Sequence, residues 1–335
     1  MQKKLRTAIC GAGKMGNIHA KVYSQLESSD LVAIVDVDQQ KASQLADSYN
    51  CSFYTDYKEL AGKVDAVTIS TPTIYHFELA KFFIEQGISV MIEKPLAFNI
   101  DQGRQIVELA KKNGVVAAVG HSERCNPVVQ AVKRLDIEPK FIEANRISPY
   151  PFRSMDIGVV MDVMIHDIDI ILSLAGGKIE KVEAVGVNVI GEDEDICNAR
   201  INFDNGCIAN ITASRLALKT ERKVRVFSRQ AYLSLDYFRK DGIVIKTDPN
   251  IDVVKMIQEK QKQEDFDFST FNWPELLQIE QLDIDDREPL RVEQESFLEA
   301  VAGKSDRPEV TAEEGLAAME CAKMILDSIK EHKWG

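Results

Sequence analysis

Apolar runs alternate with helical spacing from the start of the chain to about residue 122. Leu5 to Cys10 is an apolar strand, and Met15 to about Leu26 has the period of a helix. Leu31 to Val35 is a second apolar strand that ends on Asp36. Val64 to Ser70 is a strand running into Thr71-Pro72-Thr73, and helical spacing returns from Tyr75 to Gln86. Ser89 to Ile92 ends at Glu93-Lys94-Pro95, Ile100 to Asn113 is a helix, and Val115 to Gly120 is a further strand. Such alternation implies a parallel, doubly wound sheet whose ligands sit at the C-terminal strand ends. Gly11, Asp36, Thr71, Glu93 and His121 all fall at those ends.

Beyond residue 123 the pattern changes. Pro127 to Leu135 reads as a helix, Lys140 to Ile147 as a strand, and Val159 to Leu174 as a helix apolar nearly throughout. Strand patterns then follow one another: Val182 to Ile190, Ala199 to Phe203, Ile208 to Ser214, Lys223 to Phe227, Tyr232 to Leu235 and Ile243 to Lys246. Asn205-Gly206 between two of them predicts a two-residue hairpin turn. Strands in series with short connections imply a large, open, mostly antiparallel sheet. Residues 248–292 are acidic and read as loop with one strand at Leu276 to Ile279. Helices at Glu293 to Ala302 and Thr311 to Lys330 follow, the second begun by Thr311 and Glu314 in capping-box spacing. The predicted fold is α/β: a Rossmann domain over residues 1–122 and an α+β domain over 123–335, with the last helix packing back on the first domain. One uncovered sheet face, carrying Ile208, Ile211, Val224 and Val226, predicts a homodimer or homotetramer.

Composition narrows the partners. The net charge is −12 over 335 residues, which argues against nucleic acid and means that an anionic ligand needs local basic residues. No stretch reaches the ~20 apolar residues of a membrane span. The N-terminus leads straight into a strand and leaves no room for a signal peptide. Six cysteines without a C-x-x-C pair suit buried thiols in a reducing cytoplasm and give no metal site.

The candidate chemistry begins at Gly11-Ala12-Gly13-Lys14-Met15-Gly16. A glycine triplet alone is weak. Here it follows a strand, opens a helix, and precedes an acid by roughly 20 residues, as a dinucleotide site requires. Gly11 permits the turn, Gly13 lets the backbone approach a pyrophosphate, and Gly16 lets helix and strand pack closely. Asp36 accepts from both ribose hydroxyls and repels a 2′-phosphate, so NAD is expected rather than NADP.

Lys94 at a strand end is in itself no more than a solvated charge. With Glu93, Pro95 and the glycine loop it forms a set that resembles the Gfo/Idh/MocA oxidoreductases, and the resemblance covers essentially the whole chain. A second shared feature is Asp162 and His166, four residues apart and so on one helix face. On residue type alone these two are equally a pair of hydrogen-bonded core groups. The resemblance implies an NAD-dependent dehydrogenase with Lys94, Asp162 and His166 as the reactive set, His166 or Lys94 being the base. It also implies cofactor contacts at Lys14, Met15, Thr71, Pro72, His76, Glu93, Lys94, His121 and Glu123.

The segments Gly120-His-Ser-Glu-Arg-Cys-Asn-Pro127, Arg146-Ile-Ser-Pro-Tyr-Pro-Phe-Arg153 and Ala213-Ser-Arg215 are similar to the nucleotide-sugar branch of that family, although Cys125 replaces an aromatic residue common there. That similarity implies a UDP-sugar, oxidised at C3 of UDP-N-acetylglucosamine for amino-sugar synthesis. Arg146 and Arg153 then hold the diphosphate, with Tyr150 and Phe152 under a ring. Pairing of the arginines with Glu143 or Asp156 is the competing expectation. Other sugars, cyclitols or UDP-uronic acids remain open as substrates, as does an NAD-binding sensor without catalysis.

Overall fold

A computed structural model describes residues 4–150, 157–247 and 277–332. The chain divides into two units, residues 1–126 with 287–324, and residues 127–286 with 325–335. The first unit therefore takes the helix after residue 287 and most of the last one.

In the first unit six parallel strands run in the order β3-β2-β1-β4-β5-β6. They are β1 (Leu5–Cys10), β2 (Ser29–Val35), β3 (Ser52–Tyr54), β4 (Ala66–Ile69), β5 (Ser89–Glu93) and β6 (Ala117–Gly120). Every residue of β4 and β6 is buried, as expected of strands covered on both faces. The helices are α1 (Lys14–Gln25), α2 (Gln39–Tyr49), α3 (His76–Glu85) and α4 (Ile100–Asn113). The sequence pattern does not mark β3, which is three residues long, or α2, which buries only Ala42, Leu45 and Ala46. Capping defines α2 instead: Asp38 accepts from the Gln40 and Lys41 N–H groups, and Asn50 ends the helix at φ 52°.

One face of this sheet packs Val67, Ile69 and Ile92 with Phe83 and Ile106. The other packs Ile9, Ile34 and Met91 with Phe297 and Leu298 from the C-terminal part of the chain. Phe297 belongs to a helix over Pro289–Val301, which starts four residues before the predicted Glu293 because proline suits a first helical turn. The last helix, Ala312–Glu331, opens as expected: Thr311 N–H donates to Glu314 Oε2 at 2.9 Å and Glu314 N–H to Thr311 Oγ1 at 3.3 Å.

Among the described residues the second unit holds eight strands in the order β14-β13-β12-β11-β7-β10-β9-β8. These are β7 (Pro139–Ile147), β8 (Ile179–Val187), β9 (Ile196–Phe203), β10 (Ile208–Ser214), β11 (Glu221–Ser228), β12 (Tyr232–Asp236), β13 (Asp241–Thr247) and β14 (Leu277–Gln281). All pairings are antiparallel except β7 with β10. The unit's helices include α5 (Pro127–Lys133) and α6 (Ile165–Ala175), the latter entered through one π turn at Val160–Met164. Residues 248–276 of the acidic segment lie outside the described residues.

Two expectations are corrected here. Asn205-Gly206 is not a two-residue turn: Gly206 N–H donates to the Phe203 carbonyl, and only Gly206, at φ 80°, is left-handed. Asp204 and Asn205 form the turn, and Gly206 makes the bulge that follows. The apolar residues named for an uncovered face are also mostly covered. Ile211, Val224 and Val226 are at most 3% exposed, because α6 and the π turn pack on that side of the sheet. The opposite side is mixed: polar residues alternate there with Ile208, Ile245 and Ile279, and with Phe141, Phe227 and Tyr232, whose neighbouring rings lie 4.8 to 5.8 Å apart.

Candidate active site

In the first unit the glycine loop meets the demands made of it. Gly11 has φ +106°, and a Cβ there would lie 2.7 Å from the Ser70 carbonyl oxygen. A Cβ on Gly16 would lie 1.8 Å from the Gly11 oxygen, so that residue sets how closely α1 approaches the loop. Around Gly13 a Cβ meets nothing within 4 Å: space is open where a pyrophosphate approaches. Helix α1 begins at Gly13 without a side-chain cap or an acid in its first turn, which leaves its N–H groups and positive end to an anion. Lys14 and Met15 are exposed beside them.

Asp36 Oδ2 accepts from the Ala12 N–H at 2.7 Å and Oδ1 from the Asp38 N–H at 2.9 Å. Each oxygen keeps a lone pair, so the carboxylate is aimed and still able to accept from a ribose. Lys41, the nearest base in sequence, lies 3.5 Å from Asp38. The donor set fits NAD and offers a 2′-phosphate an anion instead of a partner. Val37, absent from the sequence-derived site, is 92% exposed next to Asp36 and offers an apolar surface for an adenine.

At the ends of β4 and β5 two histidines hold the backbone and side chains. His76 is 1% exposed, with Nδ1 2.9 Å from the Pro95 oxygen and Nε2 2.9 Å from the Thr71 oxygen. It was expected to touch the cofactor. Instead both its nitrogens face backbone carbonyls, and it clamps Thr71-Pro72 to the Lys94-Pro95 segment. Burial lowers its pKa against the pull of those carbonyls. His19, which sequence reasoning missed, is fully buried, and its Nε2 lies 2.7 Å from Glu93 Oε1. Burial pushes the Glu93 carboxyl up, but the His19 hydrogen bond and the nearby Lys94 and His76 hold it below the usual range. Lys94 follows half-buried, joined to Pro95 by a cis peptide bond. His121 is fully buried at the end of β6, and Glu123 is half-buried just beyond.

In the second unit Asp162 lies on the π turn and His166 in the first turn of α6, and both are half-exposed. The neighbouring Asp167 and Asp169 are buried at 3% and 1%. The polar residues of this helix thus divide into a pair open to a ligand and a pair that is not. Asp167 explains why Arg146 departs from expectation. Arg146 is 4% exposed, and its Nε and Nη2 each donate to Asp167 at 2.8 Å. A bidentate buried pair withdraws this guanidinium from a diphosphate. Of the partners weighed from the sequence, Glu143 pairs with Arg225 at 2.5 Å, and Asp156 lies outside the described residues. Arg153 and Phe152 lie outside them too.

A second buried pair stands at the entrance to the helix. Arg215 Nε donates to Asp195 Oδ1 at 2.7 Å, and both residues are fully buried. Asp195 also accepts from the N–H groups of Val189, Ile190 and Gly191, and Arg215 Nη1 donates to the Ile157 carbonyl at 2.6 Å. The Tyr150 ring lies 5.3 Å from the same guanidinium, so it supports Arg215. Glu194 accepts from the Val160 N–H at 3.0 Å and starts the π turn. The Ala213-Ser-Arg215 run therefore fixes the helix that carries Asp162 and His166.

Residues 5–121 match the model of an oxidoreductase family with an NAD-binding Rossmann fold, and residues 142–234 that of the GFO/IDH/MocA C-terminal domain. The chain is 34% identical over 234 residues to the UDP-N-acetylglucosamine 3-dehydrogenase of Acidithiobacillus ferrooxidans, spanning 70% of this chain and 74% of that one. It is 30% identical over 234 residues to the scyllo-inositol 2-dehydrogenase (NAD(+)) of Bacillus subtilis, spanning 64% and 68%. A solved structure of the Acidithiobacillus enzyme superposes with a TM-score of 0.86 over 98% of this chain and 99% of that one, at 28% identity. The chain belongs to the Gfo/Idh/MocA oxidoreductases and is an NAD-dependent dehydrogenase.

Proposed function

We propose that the protein oxidises the C3 hydroxyl of UDP-N-acetylglucosamine to the 3-keto sugar nucleotide, which a transaminase then converts to an amino sugar. The observation that carries this is the 34% identity over 234 residues to an enzyme of that activity. Lys94, Asp162 and His166 form the reactive set. NAD supplies the hydride acceptor when bound. His166 takes the hydroxyl proton, and Asp162 orients it. Lys94 stabilises the developing alkoxide and ties the sugar to the cofactor's ribose. With Arg146 engaged by Asp167, the diphosphate falls to Arg153.

Relatives such as the scyllo-inositol dehydrogenase favour a second reading, oxidation of a cyclitol or simple sugar. Absorbance at 340 nm with NAD and UDP-N-acetylglucosamine, free N-acetylglucosamine, scyllo-inositol or the UDP-uronic acid separates the two. We expect kcat/KM at least about tenfold higher for UDP-N-acetylglucosamine than for the free sugar, because remote binding energy orients the reacting carbon. Equal values overturn the assignment. The assembly is a homodimer or homotetramer in the cytoplasm, formed through the Phe141, Phe227 and Tyr232 side of the second sheet. A monomer by light scattering at micromolar concentration contradicts it. Among the described residues no helix is long and apolar enough to cross a membrane.

A further inference from the structure

Next to Lys94, buried side chains from three distant parts of the chain form one hydrogen-bonded line. Gln294 Nε2 lies 2.8 Å from His19 Nδ1 and 3.3 Å from the His19 carbonyl oxygen. The carbonyl only accepts, so the amide turns its NH2 toward both atoms, and His19 Nδ1 accepts as well. The imidazole proton is then on Nε2, which donates to Glu93 Oε1 at 2.7 Å. His19 and Gln294 are fully buried, so water does not compete for these bonds. Gly120 completes the arrangement: a Cβ there would stand 3.1 Å from Glu93 Oε1. Glu93 precedes Lys94, and the His76 clamp on Pro95 follows it.

We propose that His19, oriented by Gln294, is a positioning residue for the hydride transfer: it holds the Glu93 carboxylate in one orientation beside Lys94, so that the ammonium meets the substrate oxygen at a fixed place. This rests on the role given to Lys94 above. Gln294 belongs to no sequence motif and lies 275 residues from His19. The phosphate-binding helix α1 and a C-terminal helix thereby both bear on the end of β5.

The test compares His19→Leu, His19→Gln and Gln294→Met in the full chain, with thermal melts to show which variants fold. His19→Leu lowers kcat about tenfold or more, while Kd for NADH moves by less than about threefold. His19→Gln, whose amide donates to Glu93 from nearly the same place, recovers most of that loss. Histidine 15N spectra of the native protein show a bare Nδ1 and a protonated Nε2 at His19, and Gln294→Met mixes the two tautomers. Among the His19 variants, each of these results overturns the proposal: near-native kcat in folded His19→Leu, a loss matched by weakened NADH binding, or no recovery in His19→Gln. Where His19→Leu does not fold, Gln294→Met takes its place, with several-fold lower kcat expected and near-native kcat overturning. If the native protein oxidises an inositol and leaves UDP-N-acetylglucosamine untouched, the proposed substrate falls and the variants are compared on the inositol. A native His19 protonated at Nδ1 overturns the proposal whatever the substrate.

Discussion

The two units hold carboxylates near the proposed reactive residues but stabilise them by different means. In the first, Glu93 meets an imidazole whose far nitrogen is held by a neutral amide. In the second, Asp167 and Asp195 each meet a buried guanidinium, at 2.8 and 2.7 Å. A buried ion pair is costly to break from one side, because the remaining charge is left without solvent or partner. A neutral donor can be replaced by another donor at smaller cost. The second unit therefore uses its charges to hold a helix in place, and the first uses them next to Lys94, the proposed reactive group.

That contrast is broken most directly at Arg146. Arg146→Met leaves Asp167 unpaired and is expected to cost about 3–5 kcal/mol in denaturant melts, while Arg146→Met with Asp167→Leu recovers much of it. A diphosphate-binding Arg146 would instead leave stability near native and raise KM. Next in size are the reactive groups. Lys94→Met and His166→Ala should each lower kcat by ~10² or more, with melting temperature little changed. Near-native turnover in His166→Ala shifts the base to Lys94.

Asp195 sharpens the comparison through pH. Burial pushes its carboxyl up, but the N–H groups of residues 189–191 and Arg215 outweigh that and bring it to about 2. The folded value lies below the unfolded one. Its contribution is therefore complete above the unfolded pKa and is lost as pH falls from about 5 toward 2, at a cost of about 2 kcal/mol. Urea midpoints across that range should fall, and fall less in Asp195→Asn. The smallest effect on folding belongs to the cofactor loop. Gly13→Ala should cost less than about 1 kcal/mol, since its Cβ meets no atom within 4 Å, yet it should weaken NAD binding by blocking the open side of the loop. Asp36→Ala should erode the preference for NAD over NADP, measured as the ratio of kcat/KM values.

Much of the proposed site was legible as a pattern because its determinants are local. The glycine loop depends on backbone conformation and on contacts at neighbouring strand ends. Asp36, Lys94 and His121 were located at strand ends, and Asp162 and His166 on one helix by spacing, while the roles proposed for Lys94, Asp162 and His166 came from a family resemblance. The capping box at Thr311 and Glu314 closes within three residues. Elements whose signal is weak or conditional were not legible in this way. The three-residue β3 is too short to show a period, and the Asn205-Gly206 pair adopts a different turn from the one its composition favours.

The amino-acid sequence by itself determined the doubly wound first sheet, the antiparallel character of the second and the NAD loop, because period, turn chemistry and charge act over a few residues; the proposed reactive set came instead from a family resemblance. The pairing of chemically equivalent side chains was decided only by the tertiary structure. Arg146 had several acids available and took Asp167, which is 21 residues away, because β7 and α6 pack together. His76 turned from ligand to clamp because two strand ends present carbonyls to it from both sides. His19 found Glu93 and Gln294, 74 and 275 positions away, because α1 packs beside the end of β5 and against the helix Pro289–Val301. Such contacts follow from which elements pack, and burial then makes the chosen partner the only one that can satisfy the charge.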